Sequence, residues 1–214
     1  MRAVVLMSGG LDSCVCAGIA KNRGYDLNIL FVKYGQKTEK KEEKCVRKLA
    51  DYFKADLKIL NLEFLKDIGG SALTSDIEVK RDDTGIPSTY VPFRNSIFLS
   101  LAVAWAEVLN AKTVFYGANS LDFSGYPDCR PEYFKTFQSL IEKGTKKGDI
   151  KLMVPLAEMS KSEIVKKGIE LKLPLEYTWS CYFNTEKACG KCESCRLRLK
   201  GFKEANYRDP IEYE

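Results

Sequence analysis

Residues 8–13 read SGGLDS, set between an apolar run at 2–7 (RAVVLM) and a stretch of helical spacing from Val15 to Lys21. Gly9 and Gly10 carry no Cβ, so the backbone there can turn sharply and come close to a ligand. Backbone N–H groups leading into the helix favour an anion by roughly 0.3–1 kcal/mol per charge. Ser8 and Ser13 add hydroxyl donors beside Leu11, while Asp12 would repel a bare phosphate and is better suited to Mg²⁺. The pattern lacks the GxxxxGK[ST] spacing of the Walker loop. The bland alternative is an ordinary glycine turn of an α/β protein.

A second cluster lies near the C-terminus. Cys181, Cys189, Cys192 and Cys195 are separated by seven, two and two residues. Four thiolates complete a closed tetrahedral zinc site and leave no open position for catalysis, so the expected role is structural. Gly190 can supply the tight turn that a short chelating loop needs. An iron–sulfur cluster is the competing reading, and free thiols the bland one. Cys14, Cys16 and Cys45 are expected in the core, and Cys129 in a loop near a site.

There is no histidine, so no imidazole base, Ser-His-Asp triad or HExxH metal site can be built. The net charge of +5 suits a phosphate-bearing ligand and is too small and dispersed for nucleic acid. The mixed run KTEKKEEK at 37–44 reads as a solvated helix face. The apolar stretch around Leu101 to Ala106 is too short for a bilayer, and residues 1–7 run straight into the loop, against a signal peptide. A cytoplasmic protein with reduced or metal-bound cysteines follows.

The elements that must position these groups alternate. Strands are expected at 2–7, 27–33, 56–61, 113–117 and 151–155. Helices are expected at 15–21 closed by Gly24, at 38–53 with Cys45, Val46, Leu49 and Phe53 inward, at 95–110, and from Pro131. Ser160 and Glu163 form a capping box opening one more helix. The rhythm predicts an α/β fold with a doubly wound, mostly parallel sheet over 1–175 and a small zinc-binding segment over 176–214 packed on it. Residues 66–93, with Gly69, Gly70, Gly85, Pro87 and Pro92, break the rhythm and read as a functional loop or a surface excursion.

SGGLDS closely resembles the SGGxDS signature of the PP-loop ATP pyrophosphatases. With YGQ at 34–36, STYVPFRN at 88–95, DFSGYPDCRPE at 122–132 and the cysteines, the whole chain resembles the 7-cyano-7-deazaguanine synthase (QueC) family. That family normally shows YxQxH, or YxQ followed by basic residues; here Lys37 follows Gln36 and the histidine is absent, so no role of that histidine carries over. The resemblance implies ATP, Mg²⁺ and Zn²⁺ as cofactors, a homodimer, and conversion of 7-carboxy-7-deazaguanine, ammonia and ATP to the nitrile through adenylated acid and amide. Each adenylation turns a poor leaving oxygen into a good one, so no covalent enzyme nucleophile is needed.

Ser8 to Ser13 would then hold ATP. Lys161 resembles the lysine that PP-loop enzymes place near the phosphates, or is plain surface. Arg94 could hold a carboxylate or a phosphate, or a salt bridge fixing the loop. Asp122 could accept from the deazaguanine edge or serve the turn, and Tyr90, Phe93, Phe123 and Tyr126 could stack on its face or simply pack. Arg130 is a weaker phosphate candidate. The rivals are a PP-loop enzyme acting on tRNA, for which the chain has no RNA-binding extension, and a non-catalytic nucleotide-binding module stapled by zinc.

Overall fold

The apolar run after Arg2 becomes strand β1 (Arg2–Leu6) in the computed structural model of the chain, which describes residues 1–80, 85–119 and 126–214. Strands β2 (Asp26–Lys33), β3 (Asp56–Asn61), β4 (Thr113–Tyr116) and β5 (Lys151–Met153) join it in one parallel sheet, ordered β3-β2-β1-β4-β5. Strand β1 is central, so both its faces are covered. Val5 packs into the core on one side and Val4 into the core on the other, and both are fully buried. This is why the run is continuously apolar instead of alternating.

Helices α1 (Leu11–Asn22) and α2 (Glu39–Phe53) cover the first face. After the single turn α3 (Leu65–Ile68), helices α4 (Arg94–Val108) and α5 (Pro131–Gly144) cover the second. Helix α6 (Lys161–Glu170) returns to the first face and packs on α1, and α7 (Glu193–Glu204) packs on α6. The expected inner face of α2 is confirmed, since Cys45, Val46, Leu49 and Phe53 are all buried. Pro131 opens α5, and the capping box forms with Glu163 N–H donating to Ser160 Oγ at 3.3 Å and Ser160 N–H donating to Glu163 Oε2 at 2.7 Å.

Two expectations need correction, and one alternative falls away. Helix α1 begins at Leu11, four residues before Val15, because the Gly9-Gly10 turn leads directly into it. Asp12 and Ser13 are therefore in its first turn. The described part of 66–93 is no free surface excursion: Ser71 Oγ donates to Thr89 O at 3.3 Å, Ala72 N–H donates to Ser88 O at 2.7 Å, and Ser71, Ala72 and Thr89 are buried. The run 37–44 is only partly a solvated face: Lys40 and Lys44 are exposed, but Thr38 is buried and Glu42 turns toward the interior.

The C-terminal segment is pinned by a feature its sequence did not announce. Arg198 is 1% exposed and grips Asp209 with Nε to Oδ2 at 2.7 Å and Nη2 to Oδ1 at 3.0 Å. Its Nη1 donates to Thr178 Oγ1 at 2.7 Å. One fork thus ties α7, the turn before it and the tail together, and the paired, hydrogen-bonded geometry makes the buried charge tolerable. Among the described residues no helix is long and apolar enough to cross a membrane.

Candidate active site

The strand order reverses at β1, between β2 on one side and β4 on the other, and ligand crevices in open parallel sheets form outside the carboxyl ends of strands at such a switch point. A cavity lies there. Ser8, Gly10, Leu11, Asp12 and Ser13 form one wall, Tyr34, Gln36 and Glu42 another, and Arg94, Tyr126, Lys161, Trp179 and Tyr182 much of the rest.

The loop is pre-organised by its own hydroxyls. Ser13 Oγ donates to Gly10 O at 3.0 Å and accepts from Ser8 N–H at 3.3 Å, and Gly10 N–H donates to Ser8 Oγ at 3.3 Å. The first intrahelical bond is Cys14 N–H to Gly10 O at 3.1 Å. The N–H groups of Leu11, Asp12 and Ser13 therefore lie at an open helix terminus, which favours an anion. Gly9 does not line the cavity. Its φ is +79°, and an added Cβ would stand 2.8 Å from Glu42 O, so the missing side chain lets the loop seat against α2. Gly9 O in turn accepts from Trp179 N–H at 2.8 Å.

Asp12 and Lys161 meet across the cavity. Lys161 Nζ lies 2.8 Å from each Asp12 carboxylate oxygen, with side-chain exposures of 11% and 20%. The plain-surface alternative for Lys161 does not hold. Its stem runs against Gly201 of α7, where an added Cβ would come 2.3 Å from Lys161 Cγ.

Arg94 opens α4 from the opposite wall. Its Nη1 donates to Tyr34 OH at 3.0 Å and its guanidinium lies over the Tyr34 and Phe98 rings. Among the described residues it makes no salt bridge, so the loop-fixing ion pair is not what holds it. Burial pushes the Tyr34 hydroxyl up to about 12, so it stays protonated. Behind Arg94, Asn95 N–H donates to Asp128 Oδ2 at 3.2 Å, while Asp128 Oδ1 is buried with no hydrogen-bond partner among the described residues. Desolvation raises the Asp128 carboxyl above its ordinary value. Cys129 lines the cavity, but burial pushes its thiol up to about 12, which makes it a poor nucleophile.

The remaining candidates are scattered. Tyr126 lines the cavity, its hydroxyl 2.7 Å from Thr89 Oγ1, and Tyr90 packs against its ring at 5.6 Å. Phe93 is 65% exposed and Arg130 is exposed at the cap of α5; neither lines the cavity. Asp122 and Phe123 lie outside the described residues. Sequence reasoning passed over Glu42, Trp179, Tyr182 and Arg198. Glu42 was hidden in a charged run, and only its i, i+4 spacing from Thr38 could have signalled an inward face.

The cysteines Cys181, Cys189, Cys192 and Cys195 converge, all four Sγ atoms lying within 4.8 Å of one another. Bonds of about 2.3 Å to a tetrahedral zinc would set sulfur–sulfur distances of about 3.8 Å, and Cys189 Sγ to Cys195 Sγ is 3.9 Å. Backbone N–H groups of Asn184 and Cys192 point at Cys181 Sγ and Cys189 Sγ, each at 3.3 Å, which stabilises thiolate charge. The donor set fits a metal ion. Cys14, Cys16 and Cys45 are buried, as expected.

Comparison with known proteins places these features in context. The family described as "Queuosine biosynthesis protein QueC" matches residues 2–206. A 7-cyano-7-deazaguanine synthase from Picrophilus torridus is 52% identical, covering 100% of this chain and 92% of that one. One from Acidobacterium capsulatum is 51% identical, covering 99% and 96%. Among solved structures, a 4-thiouridine synthetase in complex with RNA and ATP superposes with a TM-score of 0.55 at 22% identity, over 96% of this chain and 50% of that one, a likeness of fold.

Proposed function

The chain belongs to the QueC family of queuosine biosynthesis proteins, and on that premise we propose that it makes 7-cyano-7-deazaguanine from 7-carboxy-7-deazaguanine, ammonia and ATP by way of an adenylated acid and an adenylated amide. The observation that carries the mechanistic part is the convergence of Asp12, Lys161 and the open N-terminus of α1 on one cavity that Arg94 enters from the far side.

The residues divide the work by charge. The N–H groups of Leu11, Asp12 and Ser13 receive the phosphates, with Ser8 and Ser13 holding the loop shape. Lys161 supplies positive charge where the α–β bond of ATP breaks and pyrophosphate leaves. Arg94 offers the rest of its fork to the substrate carboxylate and aligns it on the α-phosphorus, and Tyr34 fixes the fork. The acid oxygen attacks, pyrophosphate departs, and ammonia then displaces AMP to give the amide. A second adenylation, of the amide oxygen, lets AMP leave with the C–O bond electrons while the nitrogen gives up both of its protons, forming the nitrile. Tyr126 offers a ring face to the deazaguanine, Tyr90, which does not line the cavity, backs that ring, and Asp122 and Phe123 remain proposed contacts on the segment of Tyr126.

Mg²⁺, when bound with ATP, neutralises the charge building on pyrophosphate, and Asp12 is the carboxylate that the loop offers it. Zinc is the metal that the four thiolates suit best. It holds 176–214 against 1–175 as one structural unit. A cytoplasmic homodimer acting on small molecules, without nucleic acid, completes the reading.

The test is direct. Folded, zinc-loaded protein is incubated with the acid, ammonium and Mg-ATP, and the nitrile is sought by mass. ATP binding without pyrophosphate release would point to a non-catalytic module, and a product on tRNA to the other rival.

A further inference from the structure

Glu42 sits on the seam between the two halves of the cavity. Its own backbone carbonyl packs against Gly9 of the nucleotide loop, and Glu42 lines the cavity together with Tyr34, Thr38 and Arg94. The carboxylate is held in place on both oxygens. Thr38 Oγ1 donates to Oε1 at 2.6 Å and Gln36 Nε2 donates to Oε2 at 3.0 Å. Gln36 is oriented in turn, because its Oε1 accepts from Tyr34 N–H at 2.9 Å. Among the described residues no lysine or arginine forms an ion pair with Glu42, unlike Asp12, whose charge Lys161 already meets. Each carboxylate oxygen has a second lone pair free for a donor from the cavity.

A carboxylate at the cavity wall, held by two neutral donors and feeling positive charge from Arg94 without an ion pair among the described residues, is suited to a small cation. From this we infer that Glu42 forms the ammonium subsite of the cavity and takes the first proton from ammonium, delivering ammonia to the activated acid. The inference rests on the nitrile-forming reading above. Its position fits the step, since the electrophilic carbon must lie between the phosphates at the loop and the carboxylate clamp at Arg94. One proton passes from ammonium to the Glu42 carboxylate. The ammonia lone pair then forms the C–N bond, the C–O bond to AMP breaks with its electrons leaving on AMP, and the adduct nitrogen sheds a second proton to water. Desolvation raises the Glu42 carboxyl above its ordinary value, which makes it a better base.

The test compares wild type with Glu42→Gln in three assays. The first is product formation against ammonium chloride concentration. The second is acid-dependent ATP–pyrophosphate exchange with no ammonium present. The third is hydroxamate formation from hydroxylamine, a nucleophile already uncharged at neutral pH. The expected result is a kcat/KM for ammonium lower by about tenfold to a hundredfold, with exchange and hydroxamate formation within about threefold of wild type. Glu42→Asp, which keeps the charge on a shorter arm, should fall between the two and serves if the glutamine variant does not fold. Unchanged ammonium dependence, or exchange lost in step with ammonium use, overturns the assignment. A wild type with neither exchange nor nitrile overturns the reaction itself, and the subsite with it.

Discussion

Lys161 Nζ stands 2.8 Å from both carboxylate oxygens of Asp12, although 149 residues separate the two in sequence. Each lies in the first turn of its helix, Asp12 in α1 and Lys161 at the start of α6, so two helix N-termini and their charges face one crevice. Helix α7 backs the lysine through Gly201 and so connects the cysteine cluster to the nucleotide loop.

Asp12→Asn should lose turnover while keeping the fold, because the carboxylate is retained for chemistry more than for packing. A fall in kcat of about a hundredfold or more is expected, with a change in denaturant midpoint no larger than that of an ordinary partly exposed substitution. Lys161→Met should act in the same direction, and the double variant should be no worse than the worse single one, since the two act as a unit. Undiminished activity in Asp12→Ala would falsify the loop assignment.

Gly201→Ala tests the link through α7. The new methyl would meet Lys161 Cγ at 2.3 Å, and Lys161 backbone carbon at 3.2 Å, so the lysine stem must move. A displacement on the order of 1 Å can cost up to about a hundredfold in rate. The expected signature is a lowered kcat in a protein whose zinc content is unchanged, measured by metal analysis on the same sample.

Cys192→Ser should lower zinc content and weaken the C-terminal segment. Zinc–thiolate sites contribute on the order of 10 kcal/mol to local folding, and α7 has Cys192 as its cap and Cys195 in its first turn. Limited proteolysis should cut within 176–214 before the sheet unfolds, and activity should fall because Lys161 loses its backing. Full retention of metal and protease resistance would count against a metal centre.

Arg94→Ala should raise KM for the acid substrate far more than KM for ATP, and Arg94→Lys should recover little, because a lysine cannot reproduce the planar fork. Tyr34→Phe removes one bond of 3.0 Å to the guanidinium, so a loss of about threefold to tenfold is expected. A larger loss from Tyr34→Phe than from Arg94→Ala would reverse their assigned roles.

Asp128 gives a pH dependence of defined sign. Burial raises its folded carboxyl above the unfolded value of about 3.9. Between those two values the native state holds a proton that the unfolded chain has released, so stability falls as pH rises. Relative to Asp128→Asn, which does not titrate, the wild type should lose stability as pH climbs from about 4 through the raised value. Denaturant titrations across that range would show the opposite slope if Asn95 N–H dominated and held the carboxylate charged.

The sequence by itself determined the local events, and it did so because they depend on neighbours in the chain. A continuously apolar run gave a central strand, Gly9-Gly10 a turn, Ser160 and Glu163 a capping box, and three closely spaced cysteines most of a four-thiol cluster suited to a metal. Family motifs distributed over the chain named the chemistry. Only the tertiary structure decided which side chains share the cavity. The crossover of α6 brought Lys161 to Asp12, the turn of α2 made Glu42 inward in a run that looked solvated, and the packing of α7 buried Arg198 against Asp209. Phe93 and Arg130, chosen from the same motifs as Arg94 and Tyr126, point elsewhere. Residue type and spacing fix what a side chain can do, whereas long-range packing fixes what it faces, and that depends on contacts such as Lys161 with Asp12, separated by 149 residues.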